Sequence, residues 1–226
     1  ITYGGKDIFG GLLILGMKGS GKTALIMRLV EDAVRFRADQ PDLKPALVAI
    51  DPKGDLSDFI EKVAAKHGRA DDVVRLGLTT VAKWNPFAHL GTSCMADDAR
   101  QAGFFLRAAM PTSGAEGSYW EDNADNLLSY SMHLLALAGE TVSFHSLARL
   151  VTRLKEGDDF HRAELYERAR ANIDPTDTDR LVELASTLDY FEEEFVHLDE
   201  KPRSIVVNTA TNFLRRFEGV RYRRAF

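Results

Sequence analysis

The sequence predicts an α/β fold that carries an all-helical insertion. Three observations lead there. A short apolar run at residues 12–15 enters a glycine-rich loop, and a stretch with helical apolar spacing follows it. A second apolar run, residues 46–50, comes after that helix and ends on Asp51. From Asp97 to about Phe217 the apolar spacing is almost wholly helical. Strand, crossover helix and strand is the order of a parallel pair. The expected division is 1–96 for the first part of a nucleotide-binding domain, 97–200 for the helical insertion, and 201–226 for the return into the first domain.

The loop is the strongest signal. "LLILGMKGSGKT" places Gly16, Gly21, Lys22 and Thr23 in the G-x-x-x-x-G-K-[ST] pattern. The helix after it has apolar residues at Leu25, Ile26, Leu29, Val30, Ala33, Val34 and Phe36, which is one wide face. Successive backbone N–H groups can wrap an anion, and the helix N-terminus adds partial positive charge. Glycines at 19 and 21 permit close approach and unusual dihedrals. The expected phosphate-binding set is Gly16, Lys18, Gly19, Ser20, Gly21, Lys22, Thr23 and Ala24. Within it, Lys22 neutralises the β- and γ-phosphates of ATP and the Thr23 hydroxyl ligates Mg2+. Lys18 and Ser20 are the least constrained members.

Asp51 ends the second apolar run, where open α/β sheets place ligands. Position alone makes it a candidate magnesium carboxylate. The turn "DPKGD" then sets Lys53 between two acids, Asp51 and Asp55. A helix is expected over "SDFIEKVAAKHG", with a third short strand at residues 73–76. Asn85-Pro86 fixes a turn, and Trp84 and Phe87 are expected to pack.

Beyond residue 97 the expected helices are "DDARQAGFFLRAAM", a long one from the Ser118/Glu121 capping box to Gly139, "SFHSLARLVTRL" capped by Ser143, and the charged "GDDFHRAELYERARA". His133 sits among long apolar residues, as a packed or surface histidine. No histidines and carboxylates fall at zinc-ligand spacing. The run Glu192 to Glu194 reads as a solvated helix face, with a docking surface for a basic partner as the alternative. "RSIVVNTATNFLRRF" is taken as a helix rather than a strand, because Val206, Ala210, Phe213, Leu214 and Phe217 share one face. Arg215, Arg216, Arg221, Arg223 and Arg224 crowd the end, where they could meet backbone phosphates or a neighbouring subunit's nucleotide.

The bulk composition sets limits. With 45% apolar and 28% charged residues, a sizeable core and a globular class are expected. The single cysteine, Cys94, excludes an internal disulfide and has no supported ligand role. A net charge of −5 disfavours a general polyanion binder, though a local basic face could still bind DNA. No window is long and apolar enough to span a membrane, and there is no signal peptide. The ends, "ITYGGKDIFGG" and "VRYRRAF", read as cut, so the expectation is a soluble fragment of a longer protein.

"GMKGSGKT", "AIDPKGDL", "KWNPF" and "YWEDNADNLL" occur in this order. Together they resemble conjugative coupling proteins of the VirD4/TraG type, within the FtsK/HerA-like P-loop ATPases. The match rests on Asp51 to Gly54, on Asn85-Pro86, and on Trp120, Ala124 and Leu127, with Asp55 where the family has glutamate. The resemblance implies a RecA-like core, incomplete here. It implies a hexameric ring at the cytoplasmic side of the bacterial inner membrane. Such a ring would couple ATP hydrolysis to moving DNA or a relaxase–DNA complex into a type IV secretion channel, with the channel proteins as partners. It also places the main magnesium and water-activating acids on a later strand, so that Asp51 orders water or the loop instead. Two alternatives stay open: a soluble HerA/FtsK-like DNA pump, and an adaptor that recruits protein substrates at the helical domain with nucleotide binding mainly structural.

Overall fold

The computed structural model describes residues 14–51, 53–77, 80, 82–91, 96–108, 115–156 and 159–225. Leu12, Leu13, Pro52 and Cys94 lie outside them. The chain divides into two units, Ile1–Arg75 and Leu76–Phe226.

The expected α/β core is not what forms. Among the described residues there is no strand and no sheet, and the fold is helical. Residues 14–17, 45–50 and 73–76 carry no regular structure. Several of their apolar side chains face solvent: Leu15 is 81% exposed, Val48 90% and Ile50 89%. The reason is physical. A strand persists only when a neighbour takes up its backbone N–H and C=O groups and a layer covers one face. An apolar run advertises the wish to be covered; it supplies neither partner.

The first unit is a helix pair. α1 (Lys22–Arg35) packs on α2 (Asp55–Lys66), and a 3-10 turn follows at Ala70–Asp72. Val30, Val34, Val63 and Ala64 form a small core, with Leu56, Phe59, Ile60 and Val73 at its border. Polar ties supplement it. Lys66 Nζ donates to Glu31 Oε1 at 2.8 Å, joining the two helices. Arg69 reaches three places: Asp72 Oδ2 at 2.8 Å, and the carbonyls of Val34 and Pro45 at 3.2 Å each. One guanidinium thus holds the end of α1 and the chain that leaves it, as its fixed fork of donors allows.

The second unit is a helical bundle. Its elements are α3 (Ala96–Ala108), α4 (Ala115–Leu137), α5 (Phe144–Glu156), α6 (Asp159–Asn172), α7 (Thr178–Asp189), a π-helical turn Tyr190–Phe195, α8 (Glu200–Leu214), a 3-10 turn Arg215–Phe217 and α9 (Val220–Ala225). α4 is central, packing on α3, α5, α6, α7 and α8. Its sequence explains this: Leu127, Leu128, Met132, Leu134, Leu135 and Leu137 surround the helix and are all buried. The stretch weighed between strand and helix is indeed a helix: α8 buries Val206, Val207, Ala210, Phe213 and Leu214 in the same core.

Caps and turns largely follow the sequence. Ser143 Oγ accepts from Ser146 N at 3.1 Å while Ser146 Oγ accepts from Ser143 N at 2.9 Å, a reciprocal cap on α5. Asn85 accepts from Phe87 N at 3.1 Å and donates to Val142 O at 2.7 Å, which ties its turn to the bundle. Phe87 packs edge-on against Phe144, but Trp84 stays half-exposed. Ser118 lies inside α4, which starts earlier, and Glu121 pairs with Arg107 of α3 at 3.9 Å. His133 is buried, with Nδ1 2.8 Å from Thr187 Oγ1 and Nε2 3.7 Å from Glu183 Oε2. Glu183 also accepts the α3 N-terminal amide of Ala96 at 3.0 Å, so one carboxylate links α3, α4 and α7. The acids Glu192 to Glu194 are exposed, while Tyr190, Phe191 and Phe195 of the same turn are buried. The wider π turn lets these aromatics reach the core together.

Candidate phosphate-binding loop

Residues 16–24 form a loop that runs directly into α1. Gly19 and Gly21 both have left-handed backbone, φ 85° and 84°. An L-residue with a side chain strains there, so the glycines are required by conformation. Open space surrounds both, with nothing within 4 Å of an added Cβ. The loop is bound internally by its lysine. Lys22 Nζ donates to Gly16 O and Met17 O, each at 2.6 Å. Ser20 N also donates to Met17 O at 3.2 Å. The loop therefore bends around its own ammonium, which keeps one of its three N–H groups for another acceptor.

The N-terminus of α1 is the electropositive end. Gly21 precedes it with no side-chain cap, and its first turn holds no acid. Thr23 and Ala24 are exposed at that turn, and Lys18 and Ser20 are exposed in the loop. The structure thus gathers Gly16, Met17, Ser20, Gly21 and Lys22 by hydrogen bonds and backbone geometry, and leaves the Thr23 hydroxyl open beside them.

α2 begins the same way. Gly54 precedes it with φ 86° and makes no side-chain cap of its own. Here, however, an anion is built in. Asp51 Oδ2 accepts from Leu56 N at 2.8 Å, Ser57 N at 2.9 Å and Ser57 Oγ at 3.0 Å, and Oδ1 accepts from Lys53 N at 3.3 Å. The Ser57 amide, against a smaller opposing effect of burial, holds the carboxyl below the usual carboxylate range. Two helix starts with one backbone device therefore differ in occupancy. A carboxylate fills the second; among the described residues no side chain fills the first.

This places Asp51 in a role that its sequence position did not single out. Both of its oxygens serve the start of α2, and among the described residues no hydrogen bond joins it to Lys22 or Thr23. The residues that reveal this, Gly54, Leu56 and Ser57, escape sequence reasoning because three of the four donors to Asp51 are backbone amides. A faint signal exists: an aspartate three residues before a helix-starting glycine and a serine three residues after it.

Other candidates are dispersed. Among the described residues no group of three or more histidine, cysteine or acidic side chains could hold a metal. Arg215, Arg216, Arg221 and Arg223 are exposed in the second unit, while the Arg224 side chain lies outside the described residues. Phe217 anchors that region by stacking on Phe144 at 3.8 Å. No helix among the described residues is long and apolar enough to cross a membrane. No family model, curated protein or solved structure matches the chain.

Proposed function

We propose that this chain binds ATP with Mg2+ at residues 16–24 and belongs to an ATP-hydrolysing motor that couples DNA or a relaxase–DNA complex to a type IV secretion or conjugation channel. One observation carries the nucleotide half of the reading. A loop with two left-handed glycines delivers a lysine and a threonine to a helix N-terminus that no side chain among the described residues caps, and the matching start at α2 holds an anion. Backbone amides, the helix end and an ammonium are what a polyphosphate needs. Lys22 would trade a loop carbonyl for β- and γ-phosphate oxygens, and Thr23 would ligate Mg2+.

The motor half rests on the order of "GMKGSGKT", "AIDPKGDL", "KWNPF" and "YWEDNADNLL". On this reading Asp51 is a positioning residue: it fixes α2 and the Lys53 turn rather than activating water. The working assembly would be a ring of copies, hexameric by the resemblance, on the cytoplasmic side of the inner membrane. Channel proteins and DNA would be its partners. The adaptor alternative draws on a different observation. The helical unit has its own core and exposes Phe104 and Phe105 on α3, at 66% and 64%. Such a surface can take a protein substrate.

The test is Lys22→Ala in the full-length protein, read as Mg-ATP affinity and DNA-stimulated hydrolysis. Loss of one charge-assisted contact to phosphate should weaken binding about tenfold or more. Unchanged binding and hydrolysis would remove the assignment. Intact ATP binding with no effect of DNA, alongside capture of a protein substrate by the helical unit, would favour the adaptor.

A further inference from the structure

Arginines crowd the end of the second unit. Arg215, Arg216, Arg221 and Arg223 are exposed, and among the described residues no ion pair, hydrogen bond or ring contact engages their side chains. Elsewhere in this unit arginines are paired: Arg149 and Arg168 with Glu140, Arg170 with Glu167, and Arg180 with Glu183. Arg215 and Arg216 follow α8, whose carbonyl end suits positive charge. Arg221 has no such account, since it stands in the first turn of α9, where a cation is disfavoured. The chain as a whole carries −5, so this is a local field, and it attracts a polyanion from outside.

An aromatic ladder holds the segment in place. Phe217 lies between the two pairs of arginines. Its ring stacks on Phe144 at 3.8 Å and meets Phe213 and Tyr222 edge-on at 5.5 and 6.0 Å. Phe144 in turn meets Phe87 at 5.0 Å. The ladder thus ties the arginines to the turn at residues 83–87, where Lys83 is exposed and Trp84 is 52% exposed. Fixed cations linked to a half-exposed indole are the two parts that single-stranded nucleic acid needs. The cations take backbone phosphates, and the indole takes a base face.

We propose that Arg215, Arg216, Arg221 and Arg223, with Trp84, form a binding surface for single-stranded DNA. Guanidinium forks match phosphate oxygens bidentately, and their charge persists at any physiological pH. An acidic protein would use the charge but offers no base to stack on Trp84. The choice of DNA over RNA rests on the motor reading above. The surface itself is separate from residues 16–24 and needs no bound nucleotide.

The experiment measures binding of a labelled oligo-dT to the full-length protein by fluorescence anisotropy, without ATP, over a series of salt concentrations. Arg221→Gln with Arg223→Gln removes two phosphate contacts. At about 0.1 M salt affinity should fall about tenfold or more, and the slope of log affinity against log salt should flatten by about 1.4. Arg221→Lys with Arg223→Lys retains the charge and should retain the slope. Trp84→Leu should weaken binding about fivefold or more with the slope unchanged, because stacking releases no counterions. Arg170→Gln, on a paired arginine of α6, should change neither. Circular dichroism checks that each variant folds. A double glutamine variant with the parent's affinity and slope would overturn this surface and leave the motor's DNA to bind elsewhere. If the double glutamine variant lost oligo-dT and poly-glutamate alike while Trp84→Leu lost neither, an acidic protein would replace DNA as the partner. A parent that binds no oligo-dT would remove both this surface and the DNA half of the motor reading, with the ATP half still open to Lys22→Ala.

Discussion

Replacing Gly103 with alanine sets two opposing effects against each other, and the structure decides the sign. Gly103 sits in α3, where alanine would ordinarily be preferred by about 1 kcal/mol. Its face meets α4 so closely that an added Cβ would stand 2.0 Å from Ser129 Oγ, 2.6 Å from Asp125 Oδ1 and 3.3 Å from Ser129 Cβ. Ser129 is only 6% exposed, so its hydroxyl has little room to rotate away. Asp125 is no freer, since its Oδ1 is itself buried. Forcing a methyl group into such a contact costs roughly 1–3 kcal/mol. The balance is a net loss of about 1 kcal/mol. Urea denaturation, followed by far-ultraviolet circular dichroism on Gly103→Ala, measures it. Ser129→Ala in the same chain removes the shortest contact and should restore part of the loss, as a double-mutant cycle. A Gly103→Ala protein as stable as the parent, or one that Ser129→Ala does not help, would refute the close α3–α4 approach.

Two further outcomes bear on the first unit. Gly21→Ala puts a side chain on left-handed backbone with φ 84° and should cost about 1–2 kcal/mol and weaken Mg-ATP binding, read by thermal unfolding and calorimetry. Asp51 has a lowered carboxyl pKa, so its contribution to stability is present above the usual carboxylate value and fades as pH falls through the lower folded value. Protection factors at Leu56 and Ser57, taken against the intrinsic exchange rate at each pH, should therefore fall as the parent is acidified below about pH 4, and Asp51→Asn should flatten that dependence. An equal pH response in both proteins would argue against the carboxylate as the cap.

How much was legible differs between the two units. Helices from 96 onward could be read because their signal is local. Apolar residues at Val206, Ala210, Phe213 and Leu214 recur on one face wherever the helix docks, and Ser143 caps α5 with neighbours three residues away. The conformation of the loop at residues 16–24 was legible for the same reason, since Gly19 and Gly21 act over a few residues. Asp51 was only half legible. Its position at the end of an apolar run was visible, but its partners are the amides of Leu56 and Ser57, which carry no sequence identity.

By itself, then, the sequence determined the periodic helices and the left-handed glycines, because each depends on residues close along the chain. Tertiary structure alone decided whether residues 45–50 and 73–76 would be strands, since a strand exists only through a neighbour, and here Val48 and Ile50 stay in solvent. It also decided that Gly103 brings α3 against α4, because that depends on which surfaces meet.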